Sequence, residues 1–84
     1  MLNNFAMPLK SDIELDATGL ICPEPLMLVR NRMREMKAHE VLHIIATDPT
    51  TKRDLEQFCR FMKNEMLEYK LSEEILEFWI RKGG

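Results

Sequence analysis

Cysteine is scarce in this 84-residue chain: Cys22 and Cys59 are the only two, far apart and outside any Cys-x-x-Cys arrangement. That excludes a disulfide framework and a thioredoxin-type dithiol, and it makes a reducing, cytoplasmic setting the simplest expectation. An excess of basic charge is missing as well, since 12 Lys and Arg against 14 Asp and Glu leave a formal net charge of -2. Phosphate backbones are bound through clustered cations, so any RNA in this protein's biology is expected to be met only indirectly, through a partner. No apolar run approaches a membrane span or the core of a signal peptide, so neither a membrane nor export is expected. His39 and His43 match no zinc spacing, and no metal is expected.

What remains is an ordinary soluble composition, 45% hydrophobic and 31% charged. A chain of this size buries only about 60% of its unfolded surface, yet folds without staples. Residues 1–11 mix Asn, Lys, Ser and Pro8 with scattered apolars and read as a flexible tail before a single domain over 12–84.

Hydrophobic periodicity supplies the elements. Ile13, Leu15 and Ala17 alternate with polar neighbours as a half-buried strand closed by Gly19. Leu26, Val29, Met33 and Met36 recur at helical spacing, predicting a helix that ends around Lys37 to Glu40. Val41 to Thr47 carries little charge and is rich in β-branched residues, predicting a central strand. Asp48-Pro49 and Thr51 with Asp54 are alternative caps for a second helix whose buried face is Leu55, Phe58, Cys59, Met62 and Met66, running to about Glu65. Leu67–Leu71 and Leu76–Arg81 alternate around a turn at Ser72-Glu73-Glu74. Strand-helix-strand implies a parallel pair and the closing hairpin an antiparallel one. The fold class expected is therefore α/β (α+β): a two-layer βαβαββ sandwich, with a four-stranded mixed sheet and two helices on one face. Trp79 would lie on the other face as an exposed aromatic, unless the N-terminal tail covers it.

The chemistry points to Cys22. It follows a glycine turn and precedes Pro23 and Pro25, which suit the first positions of a helix because their missing N–H groups would have no intrahelical partner there. A helix beginning at or beside Cys22 would turn free amides and its positive end toward the sulfur, favouring the nucleophilic thiolate. That dipole is worth roughly 0.3–1 kcal/mol, and one pKa unit corresponds to about 1.36 kcal/mol, so Cys22 is expected to be activated but not fully ionised. A cation, with Arg30 the nearest on the same helix, or a docking partner would complete the activation. A free cysteine is otherwise most often a small buried hydrophobe, and that is the reading for Cys59 on the apolar stripe. Met27 and Phe61 lie off their helices' core stripes. Gathered around Cys22 with Glu24, Arg30 and Asp48, they would form the apolar centre and polar rim of a docking patch. The closing Gly83-Gly84 could act as a thiocarboxylate carrier, although the single strand before the first helix argues against that, and a flexible tail is the simpler reading.

These residues resemble the TusA family of small sulfur carriers, also known as SirA-like, from about Ile13 to the C-terminus. The resemblance rests on Asp16-x-x-Gly19-x-x-Cys22-Pro23-x-Pro25, with Val29-Arg30, Ile44-Ile45-Ala46, Asp48-Pro49, Arg53-Asp54, Phe58-Cys59, Phe61-Met62 and Ile80-Arg-Lys-Gly-Gly84. His39 stands where members often carry Gly, and His tolerates the positive φ such a turn requires. The resemblance implies a sulfurtransferase in which Cys22 takes persulfide sulfur from a cysteine desulfurase. Cys22 would then pass it to a downstream carrier with an acceptor cysteine, toward 2-thiolation of the wobble uridine of tRNA. It implies no cofactor. Asp16, Gly19, Pro23 and Pro25 would shape the site, and Glu24, Met27, Arg30, Asp48 and Phe61 would dock partners. A non-catalytic interaction domain and a Gly-Gly thiocarboxylate carrier are the alternatives.

Overall fold

The structure, a computed structural model, describes residues 10–84; most of the tail expected over 1–11, and any cover it gives Trp79, lies outside the described residues. The elements run β1 (Ile13–Ala17), α1 (Glu24–Arg34), β2 (Val41–Ala46), α2 (Thr51–Met62), β3 (Glu65–Leu71) and β4 (Leu76–Arg81). They form one four-stranded sheet in the order β1-β2-β4-β3. β1 is parallel to β2, with Leu15 opposite Ile44, and β4 is antiparallel to both of its neighbours. The interior position goes to β4 because Leu76, Phe78 and Ile80 are all buried there, whereas β3 is exposed along most of its length.

The core lies on one face of the sheet. Leu15, Leu42, Ile44, Phe78 and Ile80 meet Val29 and Met33 of α1 and Leu55, Phe58 and Cys59 of α2 in a single cluster. Each such side chain contributes about 1.5–3 kcal/mol relative to exposure, which is what holds two short helices in place.

Several local expectations need correction. α1 stops at Arg34; Met36 remains buried through a final tight turn in which its N–H reaches the Met33 carbonyl at 3.1 Å. α2 stops at Met62, because Lys63 takes the left-handed conformation at φ 57 while the Asn64 amide caps the Cys59 carbonyl. Met62 is consequently 61% exposed, and Met66 reaches the core from β3 rather than from the helix. β3 begins at Glu65 and does not alternate cleanly: a bulge between Met66 and Glu68 lets Met66 and Tyr69 both face the helices. Of the two proposed caps, Thr51 with Asp54 forms no cap bond, whereas the Asp48 side chain does accept the Thr50 N–H at 2.9 Å ahead of the helix. Thr50 is the N-cap of α2 without a side-chain cap bond, and Thr51 is the first helical residue, its buried hydroxyl lacking a partner among the described residues.

Trp79 is 2% exposed instead of an exposed aromatic. Its indole stacks on the His43 ring at 4.5 Å between centroids, and the Lys70 ammonium lies 5.7 Å from its centre. Glu77 and Glu14 flank the histidine at 2.9 and 3.5 Å. His39 does adopt positive φ, at 72, and donates its N–H to the Lys82 carbonyl. The Gly83-Gly84 segment is not a loose tail. Gly83 donates its N–H to Asn64 Oδ1 at 2.9 Å, and a Cβ there would lie 2.1 Å from the Lys63 carbonyl oxygen.

Candidate functional site

Two loops leave the C-terminal ends of neighbouring parallel strands, where Ala17 sits opposite Ala46. The β1–α1 loop carries Cys22 and the β2–α2 loop carries Asp48, so the pairing of β1 with β2 brings together residues distant in sequence. Asp16 Oδ1 accepts both the N–H and the hydroxyl of Thr18, at 2.9 and 2.7 Å. This Asx turn holds the Asp16 carboxyl below the usual range and leads into Gly19 at φ +80. Open space surrounds the Cβ position of Gly19, so glycine is required there for its backbone angle and not for room. The Gly19 amide donates to Thr47 Oγ1 at 2.9 Å. Three residues later the Cys22 amide donates to Asp48 Oδ2 at 2.7 Å. Asp48 Oδ1 is held by the N–H and hydroxyl of Thr50, each at 2.9 Å. With its donors Thr50 and Cys22 in place, the Asp48 carboxyl also stays below its ordinary range.

The Cys22 thiol is free and exposed, as expected. Its electrostatics are the reverse of the expectation. Hydrogen bonding to the Asp54 carboxylate pushes its pKa up; desolvation and the charges of Asp54 and Asp48 add to this, while the Thr50 hydroxyl opposes it. The helix end fails to compensate because few amides remain to face the sulfur. Pro23 is the N-cap of α1 rather than its first residue, and Glu24 commits its N–H to the Ile21 carbonyl at 2.9 Å. Pro25, buried in the first turn, has no N–H to offer. Cys59 is buried as expected, and burial pushes its thiol up to about 11.

The docking candidates divide. Asp48 reaches the Cys22 backbone directly and is a positioning group for the thiol. Phe61, 83% exposed, and Arg30 line a shared groove between α1 and α2 with Leu26, Asp54 and Gln57. Met27 is 51% exposed but does not line that groove, and the Glu24 carboxylate makes no hydrogen bond or ion pair among the described residues. The groups that act on the thiol are Asp54, Asp48 and Thr50, and Arg30 is not among them. Thr47, Thr50 and Asp54 were not singled out as site residues; the Asp48-Pro49 helix-start signal places a helix N-terminus there, but only the β1–β2 pairing brings it to Cys22.

A cysteine held by a neighbouring loop at the edge of a βαβαββ sandwich can be compared directly with known proteins. The family model described as "Sulfurtransferase TusA" matches residues 13–82. The chain belongs to the TusA family. A sulfur carrier protein TusA from Pseudomonas entomophila (strain L48) is 48% identical over 71 residues, covering 84% of this chain and 89% of that protein. Another from Pseudomonas syringae pv. syringae (strain B728a) is 45% identical over 71 residues, covering 84% of each. The crystal structure of a SirA-like protein from Desulfitobacterium hafniense superposes with a TM-score of 0.74 at 23% identity, over 86% of this chain and 99% of that one, and shows the same fold. The family it belongs to is one of sulfur carriers of the sulfurtransferase class. Among the described residues no helix is long and apolar enough to cross a membrane.

Proposed function

We propose that residues 12–84 form a persulfide-relay domain in which Cys22 carries the sulfur. The observation that carries the reading is the exposed Cys22 thiol, fixed through its own amide by Asp48, in a chain of the TusA family. The Cys22 thiolate attacks the outer sulfur of a cysteine desulfurase persulfide. The S–S bond of that persulfide breaks, its inner sulfur leaves as a thiolate, and Cys22 becomes the persulfide. A downstream carrier's cysteine thiolate then attacks the outer sulfur on Cys22, restoring the Cys22 thiolate. The route would lead to 2-thiolation of the tRNA wobble uridine in the cytoplasm, with tRNA met only through later partners. The protein itself needs no cofactor for this exchange.

Asp54 and Asp48 resist ionisation of Cys22, so a cationic group on the docked partner would release the thiolate. Phe61 and Arg30 on the α1/α2 groove, together with the exposed Met27 and Glu24 of α1, would seat that partner. A thiocarboxylate carrier needs a C-terminal Gly-Gly that can enter an activating enzyme, and the anchoring of Gly83 runs against it. A purely interacting domain would have no use for the thiol.

The experiment is to mix the protein with a cysteine desulfurase, pyridoxal phosphate and cysteine, then record the intact mass and map the added sulfur by peptide. One reducible sulfur on Cys22, absent in Cys22→Ala with the fold retained, is expected. Sulfur on Gly84, on both cysteines equally, or nowhere would overturn the reading.

A further inference from the structure

The far ends of α1 and α2, about 15 Å along the helices from Cys22, enclose a cavity of about 370 Å³. Its floor is Met33, Phe58 and Met62, and Arg30, Arg34 and Lys63 stand around it. Lys82, also on its wall, is engaged with the Met36 carbonyl at 2.6 Å, but the other three cations have no carboxylate at ion-pair distance among the described residues. Complementing helix C-termini accounts for Arg34 and Lys63. It does not account for Arg30, a full turn inside α1, or for an apolar floor beneath three cations. Arg30, Phe58 and Met62 also line the groove that holds Asp54 and Phe61, so the cavity continues the surface leading back toward Cys22.

We propose that this cationic cleft is a second anchor for the protein that exchanges sulfur with Cys22, and that it receives an acidic, partly apolar segment of that partner. The proposal rests on the persulfide-relay reading and adds the partner's chemistry. Charge reverses along the helix pair, from Asp48 and Asp54 at the thiol to Arg30, Arg34 and Lys63 at the cleft. A partner with the opposite order is aligned with its sulfur at Cys22, and one docked the other way round sets like charges together. Residues 1–9 of this chain contain no Asp or Glu and cannot supply the charge. A nucleic acid long enough to cover both ends would bring phosphates against Asp48 and Asp54. A second copy turned about a two-fold axis would also present the opposite order, and it is told from a partner segment by cleft shifts that follow protein concentration alone.

The test is an amide NMR titration of the full chain with a synthetic peptide of alternating Leu and Glu, run beside a Leu/Lys peptide and oligouridylate. The acidic peptide should give saturable shifts at Arg30, Arg34 and Asn64. Its affinity should fall about tenfold or more in high salt and again in Arg34→Glu/Lys63→Asn, where Asn suits the left-handed backbone at 63. The wild-type titration is decisive even if the double variant does not fold. No saturable shift at the cleft, tighter binding of oligouridylate there, or cleft shifts that depend on protein concentration alone would overturn the proposal. No sulfur moves in this titration, so its failure is read separately from a failure of Cys22 to accept sulfur.

Discussion

At Cys22 the contest between a helix dipole and two carboxylates is decided by how many amides remain free. Pro23 and Pro25 have none and Glu24 has committed its own, while the Asp54 carboxylate pushes the thiol's pKa up. Because Asp54 and Asp48 favour the protonated form, the midpoint of Cys22 alkylation by iodoacetamide should lie above the ordinary cysteine value of about 8.5. Asp54→Asn removes a charge that opposes the thiolate and should lower that midpoint. Cys59, buried and pushed up to about 11, should stay unmodified while Cys22 reacts. Rates of alkylation against pH, read by peptide mass, check all three, and a wild-type midpoint below the ordinary value would contradict the carboxylate account. A thiol with raised pKa is the stronger nucleophile once ionised but the poorer leaving group. At neutral pH the raised pKa also lowers the thiolate fraction, so both taking up sulfur and giving it away should be slow for the free carrier, and a partner's cation would favour both.

Among the elements, the joint between α2, β3 and the end of β4 depends on one close approach. Lys63 closes α2 in the left-handed region, and Gly83 lies so near its carbonyl that no side chain fits. Gly83→Ala should destabilise the fold by about 1–3 kcal/mol through overpacking against backbone that cannot yield. Gly84→Ala should cost less, because its Cβ would meet the His39 ring, a side chain that can move, at 3.1 Å. Urea unfolding of the two variants measures the difference; equal midpoints would show that Gly83 is not held as described. The bulge in β3 is another element-scale device, turning Tyr69 toward α2, where the Lys52 ammonium lies 4.8 Å from its ring centre.

Across the whole molecule, two helices cover one face of the sheet, and the other face has an organised cluster of its own. Trp79, His43 and Lys70 stack there between Glu14 and Glu77. Trp79→Ala should cost about 3–5 kcal/mol, a large part of the stability of a domain this small. Trp79→Phe should cost less because it keeps an aromatic face against His43. Thermal and urea midpoints test this, and a Trp79→Ala loss below about 1 kcal/mol would mean that the tryptophan is a surface residue after all.

The fold was largely legible in the sequence because alternation at Ile13, Leu15 and Ala17 and helical spacing at Val29 and Met33 are local properties of the chain. They decided element order, the parallel first pair and the helix-covered face, and Gly19-x-x-Cys22-Pro23 decided where the exposed thiol sits. Element ends were less legible, since Arg34 and Met62 stop their helices for reasons of tertiary fit: a tight turn that keeps Met36 buried, and a left-handed Lys63 beside Gly83. The environment of the thiol was not legible, because an electrostatic field depends on distance in space. Asp48 and Asp54 come to Cys22 only when β1 pairs with β2, and Trp79 becomes buried only when β4 lies against β2 and places it on His43. Sequence alone thus determined where the exposed thiol sits and which fold presents it; tertiary structure decided which carboxylates act on that thiol and the charges a partner would meet, because those follow from contacts between segments far apart in the chain.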